Sequence, residues 1–369
     1  MGAGLVSPVF IMQAATNSSP RLWPENCWYV AAMPQELSDK PLGRVICNQH
    51  MVFYRNAENK VSALEDFCPH RGLPLSKGFI RDGDLVCGYH GMVMNCDGSC
   101  QSMVGQNVSR FRGVKAYPVA ERHNFIWVWP GDVEAADENL IPDLEWANSS
   151  DWAYGGDLFH MACDYRLLID NLMDLTHETY VHASSIGQAE IEENAPIVSQ
   201  DDNEVRVTRI IENIKAPPFW ADALQANQLP RESLCDRWQV CRFSVPSQVM
   251  IDVGVAIAGK NGQQAPANQR ASAIVVDLIT PESETTCHYF WGMARNFDVN
   301  NTELTESMRD AQGKIFTEDL EILEQQQLAL LRNPDRRLLS LNIDSGGVFA
   351  RRMLDRMIAA EMEHGVNRA

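Results

Sequence analysis

The chain has 369 residues, 45% of them hydrophobic and 22% charged, which excludes a disordered or fibrous chain and leaves room for about two domains with sizeable cores. Its formal net charge of −18 argues against a nucleic-acid partner, because an acidic surface repels phosphate. Ten cysteines spread along the chain suit a reducing, cytoplasmic setting better than a disulfide framework, and no apolar run approaches the roughly 20 residues of a membrane span.

Residues 1–20 read as a disordered tail: they carry no Lys or Arg of a basic leader, and Val6 stands where a myristoylation signal needs Ser or Thr. From Trp23 to about Gly131 the text is short strands and tight turns. ICNQHMVFYR reads as one strand, Asn56–Lys60 as a polar turn, and VSALEDF as the partner strand. RDGDLVCGYHG and NCDGS carry Asp-Gly turn signals, and FIWVWPGD is a buried strand closed by Pro-Gly. Residues 21–135 therefore form an all-β domain.

A Pro- and acid-rich passage, Gly131 to Trp146, reads as a linker. Residues 136–369 form a second domain. It opens on one long amphipathic helix from Tyr165 to about His182. The strands EVRVTRIIENI, VMIDVGVAIAG and ASAIVVDLIT follow, the last paired in a hairpin with CHYFWGMARNF. Helices from about Thr305 to Arg332 and after Gly347 close the chain. Strands between flanking helices give an α+β class with an antiparallel sheet.

Two Cys/His pairs carry the first chemical signal. Cys68-x-His70 is followed, sixteen residues on, by Cys87-x-x-His90. A Cys2His2 zinc site is one reading, yet zinc fingers pair Cys with Cys and His with His. Here each half supplies one of each, which suits a Rieske [2Fe–2S] cluster, with two thiolates on one iron and two imidazoles on the other. Gly72, Gly88 and Gly91 let the backbone pass close to such a cluster. Cys96 and Cys100 are surplus to the four ligands.

The second signal is DYRLLIDNLMDLTHETYVHASSIG. On a continuous helix His177 and His182 point about 140° apart, so both reach one metal only if the helix is distorted or ends there. On that helix Asp170, Asp174 and His177 share a face. Two histidines and one carboxylate make the facial triad of non-haem Fe(II) oxygenases, with positions left open for O2. Asp319 is the candidate third ligand: with Ile315, Phe316, Ile322 and Leu323 it lies on the inward face of its helix, while Glu318 falls on the solvated side.

Cys-x-His…Cys-x-x-His followed by Asp-x-x-His-x4-His resembles the Rieske non-haem iron oxygenases, from about Trp23 to near the C-terminus. WYVAAMPQELSDKPLGRVICN, DFCPHRGLPLSKGFIRDG, DNLMDLTHETYVHASSIGQ and YFWGMARNF are especially similar to members that remove O-methyl groups from aromatic acids such as vanillate. The resemblance implies a Rieske β-domain and a helix-grip catalytic domain holding a mononuclear Fe(II). It implies iron ligands at His177, His182 and Asp319. Asp174 matches an aspartate that reaches a cluster histidine, here His90, of a neighbouring subunit in a homotrimer, and Asn171 matches a nearby polar residue of the site. It also implies an NAD(P)H-dependent reductase with a flavin and a [2Fe–2S] cluster; the chain itself has no Gly-rich dinucleotide fingerprint.

A Rieske-type electron carrier or a zinc-stabilised interaction protein would explain the first motif but not the second. Ring or side-chain hydroxylation of another aromatic acid uses the same metal sites. Candidate substrate contacts are Gln239 and Arg242 on one strand, and Val276, Phe290 and Trp291 on the hairpin pair; an arginine can meet a carboxylate bidentately.

Overall fold

The computed structural model describes residues 21–366. The expected tail, residues 1–20, lies outside the described residues. The N-terminal part is built from eleven short strands: β1 (Tyr29–Ala32), β2 (Leu42–Ile46), β3 (Gln49–Arg55), β4 (Val61–Glu65), β5 (Phe79–Arg81), β6 (Asp84–Val86), β7 (Val93–Met94), β8 (Cys100–Ser102), β9 (Ala116–Tyr117), β10 (Val119–Arg122) and β11 (Phe125–Val128). They make three antiparallel sheets, ordered β2-β3-β4-β9, β5-β6-β7-β8 and β1-β11-β10.

The turn chemistry explains most of these boundaries. Asp82-Gly83 joins β5 to β6, and Asp97-Gly98 joins β7 to β8. One expectation fails: ICNQHMVFYR is not a single strand. Cys47 and Asn48 both take positive φ, 51° and 59°, and pair Ile46 with Gln49 across a two-residue hairpin. That geometry favours an asparagine turn and reverses the chain.

The C-terminal part is a seven-stranded antiparallel sheet with helices on one side. Its strands are β12 (Ala153–Met161), β13 (Ile197–Gln200), β14 (Glu204–Lys215), β15 (Leu234–Ser244), β16 (Gln248–Ile257), β17 (Arg270–Ser283) and β18 (Thr286–Arg295), in the order β12-β18-β17-β16-β15-β14-β13. The helices are α1 (Tyr165–Leu172), α2 (Glu178–Val181), α3 (Glu190–Glu193), α4 (Pro218–Ala226), α5 (Thr302–Arg332) and α6 (Ser345–Val366). None is long and apolar enough to cross a membrane.

The expected helix from Tyr165 to His182 is in fact broken after Leu172. The Asp174 side chain accepts hydrogen bonds from the Thr176 backbone N–H and hydroxyl, at 2.7 and 2.6 Å. Such a local side-chain turn competes with helix continuation. A new turn, α2, then starts after His177.

The two faces of the long sheet do different work. One face packs α1, α5 and α6 in the largest core cluster. The other presents Val276, Leu278, Phe290 and Ala294 to Trp28, Trp127 and Trp129 of the N-terminal sheets. Burying rings of this size stabilises by on the order of 4 kcal/mol each before entropy is counted. The passage read as a linker is part of this seam, with Ile141, Leu144 and Trp146 buried in it. Backbone bonds reinforce the joint: Cys47 N–H donates to Pro281 O at 2.8 Å and Asn48 N–H to Glu282 O at 2.9 Å.

Candidate metal centres

Cys68 and Cys87 sit on two loops of one design. In the first, Cys68 N–H donates to Leu73 O and Gly72 N–H to Cys68 O; in the second, Cys87 N–H donates to Met92 O and Gly91 N–H to Cys87 O. The closing glycines have φ of 70° and 69°, a region that side chains with a Cβ rarely adopt. Both cysteines are buried and in contact with each other, while His70 and His90 are exposed with ring centroids 4.5 Å apart. Among the described residues, no three of these four side chains converge on one point within 4.8 Å. Two thiols in one pair and two imidazoles in another fit a two-iron cluster better than a single zinc ion.

The second centre is assembled by the break between α1 and α2. His177 stands at the N-terminal cap of α2 and His182 at its C-terminal cap, so the short turn folds both rings inward. Their Nε2 atoms are 3.3 Å apart. Asp319 on α5 completes the group, with Oδ1 3.4 Å from His177 Nε2 and 3.2 Å from His182 Nε2. Metal–nitrogen bonds of about 2.1 Å place neighbouring ligands about 3.0 Å apart at right angles and about 3.4 Å apart in a tetrahedron. The observed spacings lie in that window. The three-residue set would leave further coordination positions open.

Asp319 is inward because Gln312, Ile315, Phe316 and Leu323 share its face of α5. Ile322, expected on that face, is largely exposed. Glu318 departs from expectation in the other direction: its Oε2 lies 2.7 Å from His182 Nδ1. That contact holds the Nδ1 proton and leaves Nε2 free as a ligand atom. Asn171 Nδ2 donates to Asp319 Oδ1 at 3.0 Å. Burial alone would raise the Asp319 carboxyl, but hydrogen bonds from both histidines and their charges hold it down at about 2. Burial pulls the two imidazoles down, and Asp319, together with Glu178 at His177 and Glu318 at His182, more than reverses it, leaving both raised.

The shared face expected for Asp170, Asp174 and His177 does not form, because the helix ends between them. Asp170 turns away to a bidentate pair with Arg351, at 2.6 to 2.9 Å. Asp174 and Asn171 both line the cavity beside the three-residue group.

That cavity has an apolar wall from Ile251, Val253, Val275, Met293 and Phe316, and a polar end from Glu178, Arg237 and Gln239. Of the expected substrate contacts, Gln239 lines it. Val276 and Phe290 do not: they point to the opposite face, into the tryptophan seam. The inward residues of these two strands that line the cavity are Val275 and Met293, which are paired across β17 and β18. Strand side chains alternate faces, so one position decides the matter. Arg242 shares the outward parity of Trp238 and Val240, and Trp291 meets Phe316 edge-on, with ring centroids 5.4 Å apart. Glu178, Arg237 and Glu318 were missed by sequence reasoning.

Comparison with known proteins matches two domain families to this chain. Residues 27–118 match the Rieske [2Fe-2S] domain and residues 161–360 the vanillate O-demethylase oxygenase C-terminal domain. The chain is 61% identical, over 93% of its length and 97% of the relative's, to the vanillate O-demethylase oxygenase subunit of Pseudomonas sp. (strain HR199 / DSM 7063). It is 60% identical to that of Pseudomonas sp. (strain ATCC 19151), over 86% of this chain and 96% of the relative. Among solved structures, dicamba monooxygenase bound to 3,6-dichlorosalicylic acid superposes with a TM-score of 0.84 at 32% identity, covering 92% of this chain and 98% of that one.

Proposed function

The chain belongs to the Rieske non-haem iron oxygenases, and from that membership we propose that it is the oxygenase component that O-demethylates vanillate and related methoxybenzoates. Its cofactors are a Rieske [2Fe–2S] cluster and a mononuclear non-haem iron. The reading assigns Cys68, His70, Cys87 and His90 to the cluster and His177, His182 and Asp319 to the iron. The observation that carries it is the convergence of those last three on the cavity wall. Identity above 60% to a vanillate-named subunit sets the substrate class.

When bound, the two metal centres supply electrons and the reductive activation of O2. The protein's share is placement. Ile251, Val253, Val275 and Met293 offer an aromatic ring an apolar slot beside the iron ligands and keep bulk water from it. Glu318 orients His182, and Asn171 holds Asp319. The overall reaction consumes one methoxyarene, O2, two electrons and two protons. It yields the phenol, formaldehyde and water, because a hydroxylated methoxy carbon is a hemiacetal that cleaves. Vanillate would thus give protocatechuate.

An oxygenase component takes its electrons from a reductase. The reading adds that this partner is an NAD(P)H-dependent flavin and [2Fe–2S] protein of the cytoplasm. It further adds that the oxygenase works as a homotrimer, in which Asp174 of one copy faces His90 of the next. The test is aerobic turnover of the iron-loaded protein with a compatible reductase and NADH. Formaldehyde and protocatechuate released in step with NADH support the reading. A ring diol, or no coupled turnover with any methoxybenzoate, overturns it.

A further inference from the structure

The polar end of the cavity is a closed network with two vacancies. Glu178 accepts from Gln239 Nε2 through Oε1 at 2.6 Å and from Arg237 Nη2 through Oε2 at 3.3 Å. Arg237 Nη1 is also spent, on Ile186 O at 3.0 Å and Gln188 Oε1 at 2.7 Å. In this network the two atoms left with no partner at all are a donor, Arg237 Nε–H, and an acceptor, Gln239 Oε1, and both are buried. The two residues are 2% and 5% exposed, and both line the cavity. Buried polar atoms left unmatched are costly, so an occupant that satisfies both gains specificity.

The orientation of Gln239 is fixed. Only its amide nitrogen can donate to Glu178, so its oxygen must face the other way. A carboxylate placed there would set acceptor against acceptor. It would also find the charge of Arg237 already paired with Glu178. A hydroxyl has what both vacancies need, since it donates to Gln239 Oε1 and accepts from Arg237 Nε–H.

Resting on the demethylase reading above, we propose that Gln239 and Arg237, held by Glu178, form a specificity site that reads a phenolic hydroxyl on the ring carbon next to the methoxy-bearing one. The two residues stand two apart on β15, so their side chains leave the same face of the sheet. Glu178 follows His177 directly in the chain. One peptide unit therefore ties the hydroxyl anchor to the iron site. Seating the hydroxyl presents its ortho methoxy group toward His177, His182 and Asp319, and the carboxylate, para to the hydroxyl, points away from this network.

The test compares three substrates on the holoenzyme with its reductase: vanillate, 3-methoxybenzoate, which lacks the hydroxyl, and 4-hydroxy-3-methoxybenzyl alcohol, which lacks the carboxylate. The readout is kcat/KM for formaldehyde release. The wild type should favour vanillate over 3-methoxybenzoate by at least about tenfold, a floor well below the roughly 10^4- to 10^5-fold by which a site built for a hydroxyl can reject its absence. Gln239→Met keeps the volume and removes the acceptor, and should collapse that ratio toward one while lowering turnover of the benzyl alcohol as well. Cluster absorbance and iron content check that the variant is folded and loaded. A wild-type ratio near one overturns the proposal without touching the demethylase reading. So does a ratio that survives Gln239→Met, or a loss as large for 3-methoxybenzoate as for vanillate, which would mark a carboxylate anchor instead. No formaldehyde from any of the three with the wild type overturns the demethylase reading itself, and this site with it.

Discussion

Replacing Glu318 with alanine should loosen iron while leaving the Rieske cluster untouched. The contact at stake is Glu318 Oε2 to His182 Nδ1 at 2.7 Å, between a side chain 33% exposed and one 2% exposed. Removing the carboxylate frees the ring to rotate and to carry its proton on Nε2, the atom that faces His177 and Asp319. Losing such a partner of a metal-bound histidine typically costs about 10- to 100-fold in affinity, or about 1.4 to 2.8 kcal/mol. Because Glu318 is a third exposed, water compensates part of the loss, and the expected figure is the lower end, about tenfold. Glu318→Gln keeps an acceptor but not the charge, so roughly half of that free energy should return. Competition with a chelator, with iron counted by mass spectrometry and the cluster followed by its visible absorbance, measures both. Equal iron retention by wild type and Glu318→Ala would refute the reasoning and return Glu318 to the solvated role its sequence position suggests.

Asp319→Asn should abolish iron binding and formaldehyde release together, while the variant keeps its cluster spectrum; retained iron would argue against this ligand set. Phe290→Ala should cost about 4 kcal/mol, read as a lower thermal midpoint. It should leave the vanillate to 3-methoxybenzoate ratio unchanged, because Phe290 faces the tryptophan seam rather than the cavity. Asp277 gives a pH signature. Burial raises its carboxyl to about 8, the Tyr289 hydrogen bond opposes this and the Asp319 charge adds to it. The folded state therefore holds a proton that the unfolded chain releases from about pH 4. Stability should fall as pH rises between about 4 and 8, by up to about 1.4 kcal/mol per unit for one group. Asp277→Asn should flatten that slope in denaturant unfolding followed across pH, and an unchanged slope would sink the assignment.

The candidate ligands were the most legible part of this molecule, because metal chemistry restricts them to few residue types at short spacings. Cys68, His70, Cys87 and His90 lie on two turns whose glycines announce them, and Asp319 betrays itself as the acid on an apolar helix face. Geometry was less legible. Periodicity alone makes Tyr165–His182 one helix; only the Asp174 side chain, competing locally for Thr176, breaks it, and that break is what brings His177 and His182 together. The cavity wall was missed by one residue on β17, Val276 for Val275, and by three on β18, Phe290 for Met293. On a sheet buried on both faces, the middles of β17 and β18 are apolar at most positions, so no alternation tells Val275 from Val276 or Met293 from Phe290. Arg237 and Glu178 were hidden because their partner is 59 residues away in sequence.

The turn at Cys47 and Asn48 has a consequence for electron traffic. Its two amides are tied to β17, the Thr280 hydroxyl donates to Val30 O at 2.7 Å, and His288 Nε2 lies 3.1 Å from Val45 O. A shuttle that swings on a tether between donor and acceptor needs a hinge, and these bonds clamp the place where one would be. The loops that carry Cys68 and Cys87 thus belong to a part of the chain that is bonded in place rather than to a moving arm. An electron donor would therefore have to come to them, and the rings of His70 and His90 are exposed there.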